Sequence, residues 1–190
     1  MAKILIASDI HGDAKTCERL VEIYKDSDAE KLVLLGDLLY HGPRNDLPEG
    51  YAPKNVIELL NPLKNEILCV RGNCDGEVDQ MVLDFPILAD YAYLSFDGLR
   101  IFATHGHNFN MQKLPPLAKG DVLLHGHTHV PVAIEFGEGN VYINPGSLSI
   151  PKENSPKSYI LYEDRNFSFR TLEGKEYKSV HFKEIKNDSN

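Results

Sequence analysis

The stretch Lys3-Ile4-Leu5-Ile6-Ala7-Ser8-Asp9-Ile10-His11 decides the fold, because a short apolar run ends abruptly in an acid and a histidine. The run is long enough for a buried strand, but too short for a membrane span or the apolar core of a signal peptide. Asp13 is a good helix N-cap, and apolar residues at helical spacing follow it as far as Tyr24. The pattern therefore predicts a buried strand followed by an amphipathic helix.

Working outward from this stretch, the same order recurs along the first half of the chain. Strands are predicted at 32–35 and 67–70, with a helix between them that starts at Pro53. A β-α-β-α-β order predicts parallel strands. The second half has little helix, and Asp97-Gly98 is a hairpin turn signal. Its strand-like runs are 91–96, 99–104, 121–125, 131–136, 140–143, 158–163 and 167–172.

Bulk composition indicates a soluble, cytoplasmic protein with one domain. The chain has 190 residues and three cysteines without zinc-ribbon or disulfide spacing, which is typical of a reducing compartment. The net charge of −8 disfavours binding to long nucleic acids. We expect a single domain over residues 1–182 and a frayed polar tail over 183–190.

Three polar clusters directly follow the three predicted strands of the first half. They are Asp9-Ile10-His11, Gly36-Asp37 and Gly72-Asn73-Cys74-Asp75. Ligands bind at the carboxyl ends of parallel strands in open α/β sheets. Taken alone, each cluster is also ordinary turn chemistry.

The second half adds histidines at two further strand ends. Five of the eight histidines fall between His105 and His129, in His105-Gly106-His107 and His125-Gly126-His127-Thr128-His129. The glycines allow tight turns that bring imidazoles together. Aspartates, an asparagine and imidazoles form a mixed oxygen and nitrogen set that suits Mn²⁺, Fe²⁺, Zn²⁺ or Ni²⁺.

The order D-x-H, G-D, G-N-x-D, H and G-H-x-H resembles the calcineurin-like metallophosphoesterase superfamily. The similarity extends to the YfcE-type bacterial phosphodiesterases through residues 39–45, 47–53, 70–75, 79–81 and 144–147. The resemblance implies an α/β fold, an α/β/β/α sandwich of two mixed β-sheets flanked by helices.

The resemblance also implies a dinuclear metal site. One ion would be held by Asp9, His11, Asp37 and His129, and the other by Asp37, Asn73, His105 and His127. Asp37 would bridge the two ions, since a carboxylate has two oxygens and a charge that offsets cation repulsion. Manganese is the expected metal, with iron, nickel, zinc and magnesium as alternatives.

The implied reaction is attack of a metal-bridging hydroxide on a small phosphodiester. Two dications and two carboxylates leave a charge of +2, or +1 with hydroxide, which matches a monoanionic diester. Cys74 stands where the superfamily has a histidine that assists the leaving group, so we expect activated aryl diesters to react best. Arg44 and His41 lie in the loop after Asp37 and are the other candidate catalytic residues, with plain loop solvation as the alternative.

Other polar residues near these motifs have open or structural interpretations. Asp75 could orient a neighbour or accept a backbone bond. His107 could touch substrate, although a surface imidazole is favoured, and a structural role is favoured for His125. Residues 144–147 are interpreted as a turn without catalytic function.

Three alternatives to a phosphodiesterase remain. One is a scaffold on the same fold, as the retromer subunit Vps29 is, although all seven ligand positions are intact here. The others are a phosphomonoesterase, which Cys74 disfavours, and a nuclease, which the acidic charge disfavours for long substrates. An exposed strand edge could support a homodimer.

Overall fold

A computed structural model describes residues 2–182 of the chain, which form two β-sheets packed face to face. The first sheet has six strands within this range. In spatial order they are β11 (Glu176–His181), β10 (Asn166–Thr171), β9 (Ser158–Glu163), β1 (Lys3–Ala7), β2 (Lys31–Leu34) and β3 (Ile67–Cys69).

The second sheet has five strands within the same described range. In spatial order they are β4 (Tyr91–Phe96), β5 (Leu99–Thr104), β6 (Val122–Leu124), β8 (Asn140–Pro145) and β7 (Pro131–Phe136). Strands β1, β2 and β3 are parallel to one another, and so are β5, β6 and β8. Strands β9 and β4 pair antiparallel with β1 and β5, so both sheets are mixed.

Side-chain alternation along β1 places the core on both faces of the first sheet. Ile4 and Ile6 lie between the two sheets, whereas Leu5 and Ala7 face the helices. Helix α1 (Ala14–Asp26) and helix α2 (Pro53–Leu60) cover that second face. The sequence therefore reads as nearly continuous apolar runs, as expected for strands buried on both faces.

The outer face of the second sheet is covered by chain from the loop between β5 and β6. Phe109, Met111 and Leu117 of this loop pack against Phe102 and Leu123. The other helical segments are a 3₁₀ turn (Asn61–Leu63) and the short α3 (Glu77–Gln80).

The predicted α/β sandwich of two mixed sheets is confirmed, and the predicted strands lie within two residues of their observed bounds. Strand β11 and α3 were not predicted, because neither has a marked apolar alternation: β11 is half-exposed and α3 has no buried residue. The predicted tail 183–190 lies outside the described residues, and the domain boundary at residue 182 stays a prediction. No helix in the described range is long and apolar enough to cross a bilayer.

The N-cap of α1 provides a test of this local analysis. The Thr16 backbone N–H donates to Asp13 Oδ1 at 3.2 Å, and Lys157 Nζ lies 3.4 Å from Asp13 Oδ2. Asp13→Ala removes both contacts and should lower the free energy of unfolding by about 1–2 kcal/mol in urea titration. Asp13→Asn keeps the cap and loses only a partly exposed ion pair, so it should cost clearly less. Equal losses in the two variants would contradict a capping role.

Candidate metal centre

The seven predicted ligands converge where the carboxyl ends of β1, β2, β3, β5 and β6 meet across the two sheets. Five of them have left-handed backbone conformations, with φ between 48° and 67°. Such conformations are costly for residues other than glycine, and they persist where the surrounding structure enforces them, often at functional sites. The five are Asp9, His11, Asp37, His127 and His129.

The carboxylate of Asp9 is fully buried and only one of its oxygens is satisfied. Asp9 Oδ2 accepts hydrogen bonds from Ser8 Oγ at 2.6 Å and from the His127 backbone N–H at 3.0 Å. Asp9 Oδ1 has no hydrogen-bond donor and faces the imidazoles. A buried carboxylate oxygen without a donor is costly, so it marks a place for a cation.

Three imidazoles are fixed by backbone carbonyl groups. The Nδ1 atoms of His11, His105 and His129 lie 2.8, 2.7 and 2.8 Å from carbonyl oxygens of Tyr40, Leu35 and Ile150, respectively. Because a carbonyl only accepts, Nδ1 must carry the proton in each ring. The Nε2 atoms then direct lone pairs into the centre, an arrangement common among metal-binding histidines.

In the first half of the centre, the Nε2 atoms of His11 and His129 lie close to the Asp9 carboxylate. His11 Nε2 and His129 Nε2 are 3.2 Å apart, and Asp9 Oδ1 lies 3.2 Å from His129 Nε2 and 3.5 Å from His11 Nε2. Two neutral imidazole acceptors at this separation repel each other unless a cation or proton lies between them. The atoms can share one ion, as their mutual distances within 4.8 Å indicate.

The second half of the centre is grouped around His105. Its Nε2 lies 3.1 Å from Asn73 Oδ1 and 3.1 Å from His127 Nδ1. Asp37 Oδ2 lies 3.4 Å from His105 Nε2 and 3.6 Å from His11 Nε2, between the two halves. Asp37 Oδ1 instead accepts the Cys74 backbone N–H at 2.8 Å. Asp37 therefore faces both halves of the centre with Oδ2, while Oδ1 binds the backbone of Cys74.

The shifted pKa values of Asp9 and His105 indicate that the centre stabilises positive charge. Burial alone would raise the pKa of Asp9, but the adjacent imidazoles of His11 and His129 hold it well below its usual range. Burial opposes charge on His105 as well, yet the Asp37 carboxylate raises the pKa of His105 to about 9. The carboxylates thus draw protons onto the imidazoles, and metal cations would take the place of those protons.

The donor set fits divalent metal ions. Two carboxylates, an amide oxygen and four imidazoles provide oxygen and nitrogen ligands, and no thiolate is needed. A third group of candidate donors includes Cys74 Sγ together with His11 and Asp37. Burial and the Asp37 charge raise the pKa of the Cys74 thiol to about 12.

A cavity of about 420 Å³ opens in front of the centre. Of the three candidate catalytic residues, Cys74 and Arg44 line it, whereas His41 does not. The His41 ring instead packs between Tyr40 and Tyr51, with ring centroids 4.7 and 5.4 Å away. Sequence reasoning missed other lining residues, which are Asn45, Thr128 and Lys152.

Buried polar side chains around the ligands position the backbone that carries them. Asp75 accepts backbone N–H groups of Asp37, Leu38 and Gly72 at 2.7–2.9 Å, as in the backbone-accepting interpretation. Ser147 and Ser149 hydroxyls both donate to the Asp9 carbonyl at 2.9 Å. The sequence signal for these serines was weak, because short polar residues near Pro and Gly are typical of ordinary turns.

The remaining polar residues of the histidine segments and of the turn 144–147 have structural surroundings. His125 stacks on Tyr142 at 4.4 Å, and burial lowers the pKa of His125 to about 4. The ring of His107 lies 5.5 Å from that of His105 but does not line the cavity. Asn144 donates to the Gly126 carbonyl at 2.8 Å and thereby holds the second histidine segment, residues 125–129, in place.

The chain is similar in sequence to known phosphodiesterases. The chain is 53% identical over 159 residues to phosphodiesterase YfcE of Escherichia coli K12, covering 84% of this chain and 86% of that protein. It is 29% identical over 152 residues to phosphodiesterase MJ0936 of Methanocaldococcus jannaschii, covering 76% and 82%.

The chain is also similar in structure to solved proteins. The structure of the E. coli phosphoesterase YfcE matches with a TM-score of 0.90 and 48% identity, over 94% of this chain and 98% of that one. Vps29 of Entamoeba histolytica complexed with Zn²⁺ matches with a TM-score of 0.57 and 20% identity, over 94% and 98%, which shows a shared fold only. The family model of the calcineurin-like phosphoesterase superfamily domain matches residues 2–166. The chain therefore belongs to the calcineurin-like phosphoesterase superfamily.

Proposed function

We propose that this protein is a metal-dependent phosphodiesterase with a dinuclear centre that acts on small phosphodiesters. The observation that carries the proposal is the unsatisfied, buried Asp9 Oδ1 beside the inward-facing Nε2 atoms of His11 and His129. The 53% identity to a phosphodiesterase supports the reaction class. The first ion would be held by Asp9, His11, Asp37 and His129, and the second by Asp37, Asn73, His105 and His127.

Different residues of the chain would have different roles in such a reaction. Bound divalent ions would supply an activated water nucleophile and positive charge for the phosphoryl oxygens. Asp37, fixed by the Cys74 N–H and by Asp75 through its own backbone, holds the two halves of the centre in register. Arg44, at the cavity wall, is placed to donate to an anionic oxygen of the substrate.

Manganese as the native metal, a cytoplasmic location and homodimer formation stay predictions. The free state of Cys17, Cys69 and Cys74 accords with a reducing compartment.

The first test is metal dependence. Chelation should abolish hydrolysis of bis(p-nitrophenyl) phosphate, and added Mn²⁺ should restore it. Asp37→Asn should lower kcat/KM by about 10³-fold or more, because the bridging charge is lost. Asp28→Asn is the matched control, since Asp28 is exposed and has a similar left-handed conformation, φ 55° against 56°. Hydrolysis that survives chelation, or an equal effect of both variants, would contradict a metal-dependent enzyme.

A second test concerns Gly72, whose backbone lies directly against Asp37. A Cβ atom on Gly72 would lie 2.1 Å from Asp37 Oδ1 and 2.2 Å from Asp37 N. Gly72→Ala should therefore displace Asp37, reduce the bound manganese per chain in elemental analysis, and cost about 1–3 kcal/mol of stability. At Gly76 the nearest atom is 3.8 Å from a Cβ, so Gly76→Ala should leave the metal content unchanged. Full metal content in Gly72→Ala would refute the role assigned to Asp37.

A third test concerns Cys74 and the leaving group. The thiol is a poor proton donor because burial and Asp37 raise its pKa to about 12. Cys74→His should increase kcat/KM for alkyl diesters more than for aryl diesters, by up to about 10²-fold. Cys74→Ser controls for loss of the thiol alone. An unchanged dependence of rate on leaving-group pKa in the histidine variant would show that this position does not act on the leaving group.

A further inference from the structure

The cavity wall in front of the proposed metal centre holds two exposed cationic side chains, Arg44 and Lys152, which are not among the proposed metal ligands. We propose that Arg44 and Lys152 form an anion subsite, which binds a second negatively charged group, carboxylate or phosphate, on one arm of the substrate. Both residues line the cavity of about 420 Å³ that also contains His11, Asn73 and His129. This inference rests on the proposed function and narrows its substrate class.

Arg44 differs from the other arginines in having no hydrogen-bond or ion-pair partner among the described residues, and its side chain is exposed. Within residues 2–182, each of the other five hydrogen-bonds to or pairs with a protein group: Arg19, Arg71, Arg100, Arg165 and Arg170. The guanidinium of Arg44 keeps all five N–H donors available in the described part of the chain. A planar fork of this kind recognises carboxylate and phosphate oxygens in pairs.

The backbone at Arg44 is nevertheless well defined. The Asn45 backbone N–H donates to the Gly42 carbonyl at 3.3 Å, and Asn45 Nδ2 donates to the His41 carbonyl at 2.8 Å. A Cβ on Gly42 would lie 3.1 Å from Cys74 Sγ, so this turn packs directly against the thiol. The turn therefore places Arg44 on the side of the cavity where Cys74 lies.

Lys152 stands at the corner of a second tight turn. Its carbonyl accepts the Ser155 backbone N–H at 3.0 Å, and Glu153 and Asn154 between them have φ of 54° and 56°. The Lys152 backbone N–H donates to the His129 carbonyl at 3.0 Å, which ties the turn to the metal centre. The ammonium has no partner among the described residues, so two unpaired cations border one cavity from two loops.

Charge accounting indicates what these cations bind. Two dications against the carboxylates of Asp9 and Asp37 leave +2, which a phosphodiester and a hydroxide nucleophile would neutralise together. The charges of Arg44 and Lys152 are then still uncompensated, in a protein whose net charge is −8. A substrate arm with its own anionic group would pair them, whereas an uncharged arm would not.

The lining does not favour recognition of a base or an apolar arm. Apart from imidazoles, the described residues that line the cavity include no aromatic ring. Base stacking needs an aromatic platform, so discrimination at this wall would depend on charge.

The binding test uses matched ligands that cannot be hydrolysed. In calorimetric titration of the manganese-loaded protein, 3-phosphonopropionate should bind about tenfold or more tightly than propylphosphonate, as expected for charge-assisted hydrogen bonds. The Arg44→Gln, Lys152→Gln double variant should lose this preference. Lys175→Gln is the control, since Lys175 is exposed on the turn before β11. Equal binding of both ligands by the unmodified protein, or a preference that survives in the double variant, would overturn the subsite.

The kinetic test compares p-nitrophenyl diesters whose second arm is ethyl, 2-carboxyethyl or 2-phosphonoethyl. The anionic arms should raise kcat/KM over the ethyl arm, and the ratio should fall toward one in the double variant. The stronger of the two anionic arms identifies carboxylate or phosphate as the natural group. If no diester is hydrolysed, the proposed function fails, while the binding preference still decides the subsite. Hydrolysis with equal rates for all three arms would overturn the subsite and leave the phosphodiesterase intact.

Discussion

The hydrogen bonds from imidazole Nδ1 atoms to backbone carbonyls are the interaction on which the centre depends. They fix the tautomers of His11, His105 and His129, and they aim three lone pairs at two buried carboxylates. Without positive charge between them, these acceptors repel one another at short range. Because the carbonyls belong to the backbone, the demand for cations is built into the fold and is not removed by changing a neighbouring side chain.

Close packing of backbone at the strand ends makes that arrangement possible. A Cβ on Gly126 would lie 1.9 Å from Ser8 Oγ, so only glycine allows the second histidine segment to approach β1. The approach lets the His127 backbone N–H reach Asp9 Oδ2, which joins the two sheets through a ligand carboxylate. Five of the proposed ligands have left-handed conformations, which cost free energy. The surrounding packing and hydrogen bonds offset that cost.

The sequence predicted most of the elements from local patterns, whereas the seven proposed ligands were assigned through the resemblance to the metallophosphoesterase superfamily. Apolar runs fixed the strands, and polar clusters after parallel strands must share one edge of a sheet. Contacts between residues that are far apart in the chain could not be predicted from the sequence. The exclusion of His41 from the cavity depends on packing between Tyr40 and Tyr51, and the inclusion of Lys152 depends on a turn 115 positions beyond Asp37. Neither relationship leaves a periodic signal, and β11 was missed because its exposed face carries no clear alternation.

Metal binding would not by itself separate an enzyme from a scaffold on this fold, since Vps29 of E. histolytica, which shares the fold, is complexed with Zn²⁺. The separation lies in what surrounds the ions. Arg44 and Lys152 are exposed at the cavity and have no ion-pair partner among the described residues, so their charges are available to a bound anion. A substrate that is released after each turnover requires such groups to be free in the resting protein. The proposed anion subsite of Arg44 and Lys152 lies at the same cavity as the proposed metal ligands, and an enzyme for anionic diesters would use such a subsite whereas a scaffold would not.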